Sequence, residues 1–182
     1  MDINFVNLTA ENLADEHLSC IIRSKKPHPG VEAKRLWLSD RLKEGHVFRK
    51  LNVKAPVFIE YAPLETAWVP INGDNYCYEL LALSFDGTKP EFASNVKTPK
   101  IENKELTIYY DMQCPYICQK IGIIKQYCEE KNIPVSLIQV DTLQKAKELP
   151  CVFNNWGVFY KGNFETVNLI MDVSHLERIL KK

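Results

Sequence analysis

Hydrophobic and polar positions change period along the chain, and the changes mark out elements. The opening INFVNL alternates as a short strand does. Asn12 is placed to cap a helix from Leu13 to about Ile22, with Asp15 and Glu16 in its favourable first turn. SKKPHPG then stops helical continuation, because two prolines and a glycine fall together. VEAKRLWLSDRLKEG is the clearest amphipathic helix. Val31, Leu38 and Leu42 share a face with Trp37 beside them, charged residues fill the rest, and Gly45 is placed to end it. From His46 the period becomes two. VFRKL, PVFIEYAPL, AWVPI and YCYELLALSF read as successive strands separated by KAP, LET and NGD turn signals. That pattern predicts an antiparallel meander with two helices packed on it.

DGTKPEFASNVKTPKIENK has two prolines and no periodicity, so it reads as a linker. Beyond it LTIYY is a strand, DMQCPYIC turns into a helix running to about Lys131, PVSLIQV is a strand and TLQKAKEL a short helix. WGVFY and FETVNLI pair across a KGN turn, and SHLE opens a last helix as a capping box of Ser174 with Glu177. Strand, helix, strand, helix, strand, strand, helix, with Cys114 and Pro115 where the first helix starts, is the thioredoxin arrangement. The expected fold class is therefore α+β: an N-terminal meander with two helices over residues 1–85, a linker over 86–104, and a thioredoxin-like α/β domain over 105–182.

Composition narrows the function classes. Lys plus Arg and Asp plus Glu number 23 each, so the chain lacks the net positive charge that drives nonspecific nucleic-acid binding. No apolar run approaches the roughly 20 residues that cross a bilayer. The N-terminus shows acids and no basic residue ahead of an apolar core, so a cytosolic location is expected, with no membrane or nucleic-acid partner. Six cysteines, at positions 20, 77, 114, 118, 128 and 151, would then be reduced thiols. None forms a CxxC pair, and no four-ligand zinc pattern can be assembled, so no metal is expected.

Several residues are chemical candidates. Cys114 follows a strand and precedes a helix, whose N-terminus favours thiolate, and Cys118 lies four residues on along the same side. The pair reads either as a redox site or as two small apolar thiols. Pro150, followed by Cys151, stands either where thioredoxin folds carry a cis-proline or in an ordinary loop. Glu60, mid-strand in FIEY, reads as a general base for an amine or as a carboxylate on a solvated sheet face. His17 and Cys20 share a helix face, where a buried, hydrogen-bonded histidine is the simpler role. Tyr61, Trp68, Tyr76 and Tyr78 could line a groove or pack a core.

The run Lys34, Trp37, Leu38, Arg41, Gly45, Phe48, Lys50 and Leu51, followed by FIEYAPLETAWVPINGDNYCY, resembles the first half of YoaP-type GNAT acetyltransferases. Glu16, His17 and Cys20 fit the same pattern, and the CP element and FYKGNF hairpin are similar to that family's small C-terminal domain. The resemblance implies acetyl-CoA as cofactor and acetyl transfer to a small-molecule or peptide amine. In that family a strand, a phosphate-binding loop and a long helix follow the NYCY position. Here NYCY runs straight into ELLALSF, so the coenzyme-binding segment is expected to be absent. Gln119 and Gly122 come closest to the loop pattern, but Ile124 stands where Gly or Ala is needed, inside a predicted helix whose N–H groups are already bonded. The alternatives are a noncatalytic binding protein with a thioredoxin-like module, or a thiol oxidoreductase using Cys114 with Cys118 or Cys151 resolving.

Overall fold

A computed structural model of the chain describes residues 4–16, 18, 29–52, 58–73, 76–78, 82–84 and 91–182, without the side chains of residues 15, 76–78 and 82–84. In chain order the elements are β1 (Phe5–Asn7), α1 (Val31–Lys43), β2 (Val47–Leu51), β3 (Phe58–Pro63), β4 (Ile71–Asn72), β5 (Tyr76–Tyr78), β6 (Ala82–Ser84) and β7 (Glu91–Phe92). There follow β8 (Leu106–Tyr110), α2 (Ile117–Glu130), β9 (Val135–Gln139), α3 (Leu143–Lys147), β10 (Trp156–Tyr160), β11 (Asn163–Thr166) and α4 (Val173–Leu180). The class is mixed α+β.

The N-terminal sheet runs β1-β2-β3-β5-β6, antiparallel throughout. α1 packs on it through Leu38, fully buried beside Phe48, Leu8 and Leu13, with Val31, Trp37 and Leu42 at the margin. Gly45, at φ +89°, follows the helix end in the left-handed conformation that L-residues avoid. The second sheet runs β11-β10-β8-β9, with β8 and β9 parallel and the other pairs antiparallel. Parallel β8 and β9 need a crossover, which α2 supplies. α2 and α4 cover one face of this sheet through Ile117, Ile124, Leu176 and Ile179, packed on Leu106, Ile108, Trp156 and Val158.

Several expectations are corrected. Asn12 caps no helix: its side chain accepts from the Thr9 N–H and donates to the Asn7 carbonyl, and only a 3-10 turn forms at Leu13–Asp15. The rest of the helix expected there, with His17 and Cys20, lies outside the described residues. AWVPI is not a strand. Residues 64–70 are turns and bends, with Ala67, Trp68 and Val69 buried, and only Ile71–Asn72 pair, with β7. YCYELLALSF is not one strand but a hairpin pairing Tyr76 with Ser84 and Tyr78 with Ala82. The last helix is capped by Asp172, whose carboxylate accepts from the His175 N–H at 2.8 Å. Glu177, read as the capping-box acid, instead accepts from the Tyr127 hydroxyl.

The segment read as a linker is held from both sides where it is described. Its β7 pairs with β4, Ala93 and Val96 are buried, and Asn95 Nδ2 donates to the Leu149 carbonyl. Ile101 donates to the Gly162 carbonyl. Across the same boundary Lys147 Nζ donates to the carbonyls of Leu64 and Ile71, at 2.9 and 3.0 Å. Trp68 packs with Val140, Ala146, Leu149 and Phe153, while Trp37 borders the same cluster. The segment after β3 and the region around α3 therefore share a buried apolar contact, and a cavity opens beside it.

Candidate functional site

The cavity has a volume of about 340 Å³ and is walled by both halves of the chain. One wall is α1, through Lys34, Trp37 and Arg41. The floor is the β2–β3 hairpin, through His46, Glu60 and Tyr61. Trp68 closes one side, and Asp111, Gln113, Cys114, Asn154 and Asn155 come across from the second sheet. That volume suits a small molecule.

Lys34, Leu38 and Arg41 follow one another at i, i+4 and i+7, so one helical stripe carries all three inward. Lys34 is 3% exposed and Arg41 8%. Such burial needs partners. Lys34 Nζ lies 3.2 Å from Glu60 Oε2, and His46 Nε2 lies 3.0 Å from Glu60 Oε1. Pairing of Phe48 with Glu60 puts His46, two residues earlier, on the same sheet face as both. Burial pushes the Glu60 carboxyl up, but the hydrogen bond from His46 and the charge of Lys34 outweigh it and hold its pKa below the ordinary value. Glu60 is thus a fixed carboxylate. In the tautomer that donates Nε2–H to Glu60, the neutral imidazole has its lone pair on Nδ1.

Arg41 lies with its guanidinium carbon 3.7 Å from the Trp68 ring centroid, and its Nη2 is 3.1 Å from Glu44 Oε1. Glu44 Oε2 accepts from the Trp68 indole N–H. Three cavity residues have buried polar atoms with no partner among the described residues: Arg41 Nε and Nη1, Trp37 Nε1 and Asp111 Oδ2. Asp111 is 1% exposed and follows β8 directly. Its Oδ1 accepts from the Gln113 N–H at 2.9 Å. Burial raises its pKa to about 7; the Gln113 N–H lowers it, Glu60 adds to the rise, and Arg41 and Lys34 oppose it.

Of the sequence candidates, Glu60 and Cys114 meet at this cavity with Tyr61 and Trp68, and Cys118 does not line it. Cys118 Sγ instead lies 3.4 Å from Met112 Sδ. α2 starts at Ile117 with Tyr116 as its cap residue, so Cys114 stands between β8 and the helix, two residues ahead of the cap, and Cys118 occupies the helix's first turn. The Cys114 carbonyl accepts from the Ile117 N–H. Cys151 is buried with its thiol pushed up to about 12 by burial. The peptide bonds of the described residues are all trans, that of Pro150 included. Gly122 lies within α2, as the sequence reading has it. The side chains of Tyr76 and Tyr78 lie outside the description. Lys34, Arg41, His46 and Asp111 were not singled out as site residues. Only the i, i+4, i+7 spacing of Lys34, Leu38 and Arg41 could have signalled the first two.

Residues 134–178 match a family model described as YoaP-like. The chain is also 26% identical over 246 residues to a Bacillus subtilis (strain 168) protein, the "Uncharacterized N-acetyltransferase YoaP", covering 97% of this chain and 98% of that protein. The chain is similar to YoaP-like proteins. No solved structure matches it. Among the described residues no helix is long and apolar enough to cross a membrane, and no group of three or more His, Cys, Asp or Glu is placed to hold a metal ion.

Proposed function

We propose that this chain is an N-acetyltransferase-family protein whose cavity holds the amine acceptor. One observation carries the reading: Lys34, Trp37, Arg41, Glu60 and Trp68, all within the stretch that resembles acetyltransferases, line one cavity. The similarity to a protein named as an N-acetyltransferase over nearly its full length supports it. The meander under α1 is the GNAT-like part. The β9-β8-β10-β11 order, with helices in the crossovers, supports a thioredoxin-like second domain.

His46 is the group placed to take a proton from an incoming ammonium, with Glu60 holding the ring and stabilising the imidazolium that forms. Lys34 fixes the carboxylate from the other side. Aromatic walls exclude water from the amine, which favours its neutral, nucleophilic form.

The family's donor is acetyl-CoA, which supplies the acetyl group as a thioester. The described residues do not fit it. A pyrophosphate needs backbone N–H groups at an open helix N-terminus. At α1 the Gly30 backbone is pressed against the Pro115 carbonyl, so closely that a Cβ on Gly30 would lie 1.6 Å from that oxygen. The start of α4 is filled by the Asp172 carboxylate, and the first N–H of α2, that of Ile117, is bonded to Cys114. The 246-residue alignment exceeds this chain's 182 residues, so the relative carries positions with no counterpart here, which supports loss of the donor segment.

The chain's own chemistry is therefore acceptor binding. Calorimetric titration with a panel of primary amines, amino acids included, tests it. Saturable binding weakened by His46→Gln is expected, and no binding by any amine overturns it. Titration with acetyl-CoA is expected to show no micromolar affinity. A dissociation constant near 1 μM, about −8 kcal/mol, would mean a donor site exists in this chain.

A further inference from the structure

Among the described residues, the unpartnered groups around the cavity are of two kinds. Three are donors, Arg41 Nε and Nη1 and Trp37 Nε1. The fourth is an acceptor, Asp111 Oδ2. A buried donor or acceptor left without a partner costs about 1–3 kcal/mol, more when charged, so such atoms beside a cavity describe the ligand that would satisfy them. The donors ask for an anion, and a carboxylate is the small anion that best matches a guanidinium. The acceptor asks for an ammonium or another N–H group.

The remaining charges of the cavity already cancel. Lys34 is matched by Glu60 and Arg41 by Glu44. A ligand of large net charge would disturb that balance inside a desolvated site, and one carrying both signs leaves it intact. Trp37, Phe58, Tyr61 and Val69 supply apolar wall beyond these groups, enough for a hydrophobic side chain. The volume of about 340 Å³ accommodates one amino acid.

We propose that the cavity binds a free amino acid with an apolar side chain, its carboxylate held by Arg41 and Trp37 and its ammonium directed to Asp111. This deepens the acceptor reading, on which it rests for the fate of the amine, while the binding itself is independent of acetyl transfer. Arg41 and Asp111 come from opposite halves of the chain, so the ligand bridges α1 and the end of β8. Selection then follows from two opposed charges at a fixed separation, and a molecule with one of them leaves the other site group unsatisfied.

The test uses the full chain without acetyl-CoA. Intrinsic tryptophan fluorescence follows titration with L-leucine, L-phenylalanine and L-methionine, each against its decarboxylated amine and its deaminated acid. Two of the chain's three tryptophans, Trp37 and Trp68, line the cavity and report occupancy. At least one amino acid is expected to bind tenfold or more tightly than either of its halves. Arg41→Gln should reduce its affinity to that of the amine, and Asp111→Asn to that of the acid. Trp37→Phe keeps a smaller aromatic wall and loses the N–H, with Trp68 still reporting, so it should weaken the amino acid severalfold more than the amine, which serves where Arg41→Gln fails to fold. Equal binding of amine and amino acid, or no binding by any of the three sets, overturns the proposal. In a parallel incubation with acetyl-CoA, mass spectrometry follows N-acetylated product. An amino acid that binds as described but keeps its affinity in His46→Gln overturns the acceptor reading and leaves this one standing, and product, where none is expected, would mean that a donor site exists in this chain.

Discussion

Replacing Asp111 by Asn removes a carboxyl whose titration differs strongly between the folded and unfolded chain. Its ordinary pKa of 3.8 rises to about 7 in the fold, because complete burial penalises the charged form. Glu60 adds to the rise, while the Gln113 N–H and the charges of Arg41 and Lys34 reduce it. Between those two values the folded protein holds a proton that the unfolded chain has released. Stability therefore falls as pH rises through that window and levels off above about 7, while below about 4 this carboxyl costs nothing. A shift of this size at about 1.36 kcal/mol per unit gives a total of about 4 kcal/mol, of which about 3 falls between pH 4.5 and 8.5.

Asn keeps the shape and the Oδ1 that accepts from Gln113, and it cannot ionise. Any cost of its unpartnered amide is the same at both pH values, so it cancels in a double difference. Urea unfolding of both proteins at pH 4.5 and 8.5, without ligand, yields that difference. Asp111→Asn is expected to gain about 3 kcal/mol relative to the parent on going from the lower to the higher pH. A change below about 1 kcal/mol would refute the desolvated carboxyl and, with it, the acceptor placed in the cavity.

Three other outcomes are expected. Lys34→Met leaves Glu60 buried with His46 alone and should cost about 3 kcal/mol in urea unfolding, part of it restored by adding Glu60→Gln; a cost under about 1 would show the pair to be solvated. Gly30→Ala drives a Cβ into the Pro115 carbonyl, backbone against backbone, and should destabilise by about 1–3 kcal/mol; an unchanged melting temperature would deny that approach. Iodoacetamide near neutral pH should modify half-buried Cys114 and Cys118 ahead of buried Cys128 and Cys151, whose thiols burial pushes up, with the adducts located by mass spectrometry; early labelling of Cys151 would contradict its burial.

The second sheet was largely legible in the sequence because its elements are decided locally. LTIYY, PVSLIQV and WGVFY are apolar runs bounded by turn residues, and the Lys161–Gly162 turn with both φ positive fixes the register of β10 and β11 within a few residues. AWVPI failed for a physical reason. Trp68 is buried against Val140, Ala146, Leu149 and Phe153, and Ala67 and Val69 against Ala62 and Leu64, in neither case by strand pairing, and Pro70 takes away an N–H that a ladder would use. Asp172 outcompeted Ser174 as a cap, a choice of two residues that pattern alone does not separate. In the site, Glu60 was visible as a residue and not as a partner of His46. Their meeting depends on the β2–β3 register, which the intervening turn residues leave open. The pattern places Lys34 and Arg41 among the charged residues that fill the rest of the helix, and charge normally means exposure. The second sheet that covers them is encoded far along the chain.

That dependence has a consequence for how ligand and fold are coupled. The groups that ask for an anion sit on α1, and the one that asks for a cation sits at the end of β8, so neither half alone makes the site. Their separation is set by the Trp68 cluster, the Lys147 bonds to Leu64 and Ile71, and the contact of Gly30 with Pro115. A ligand that touches both walls binds the docked arrangement and not the undocked one. It therefore stabilises docking by mass action, by about 2.7 kcal/mol at a hundredfold excess over its dissociation constant. Changes at the docking contacts should then weaken binding without touching the ligand, and a saturating ligand should offset part of their cost to stability. A purely local pocket, formed by one half, would show neither effect.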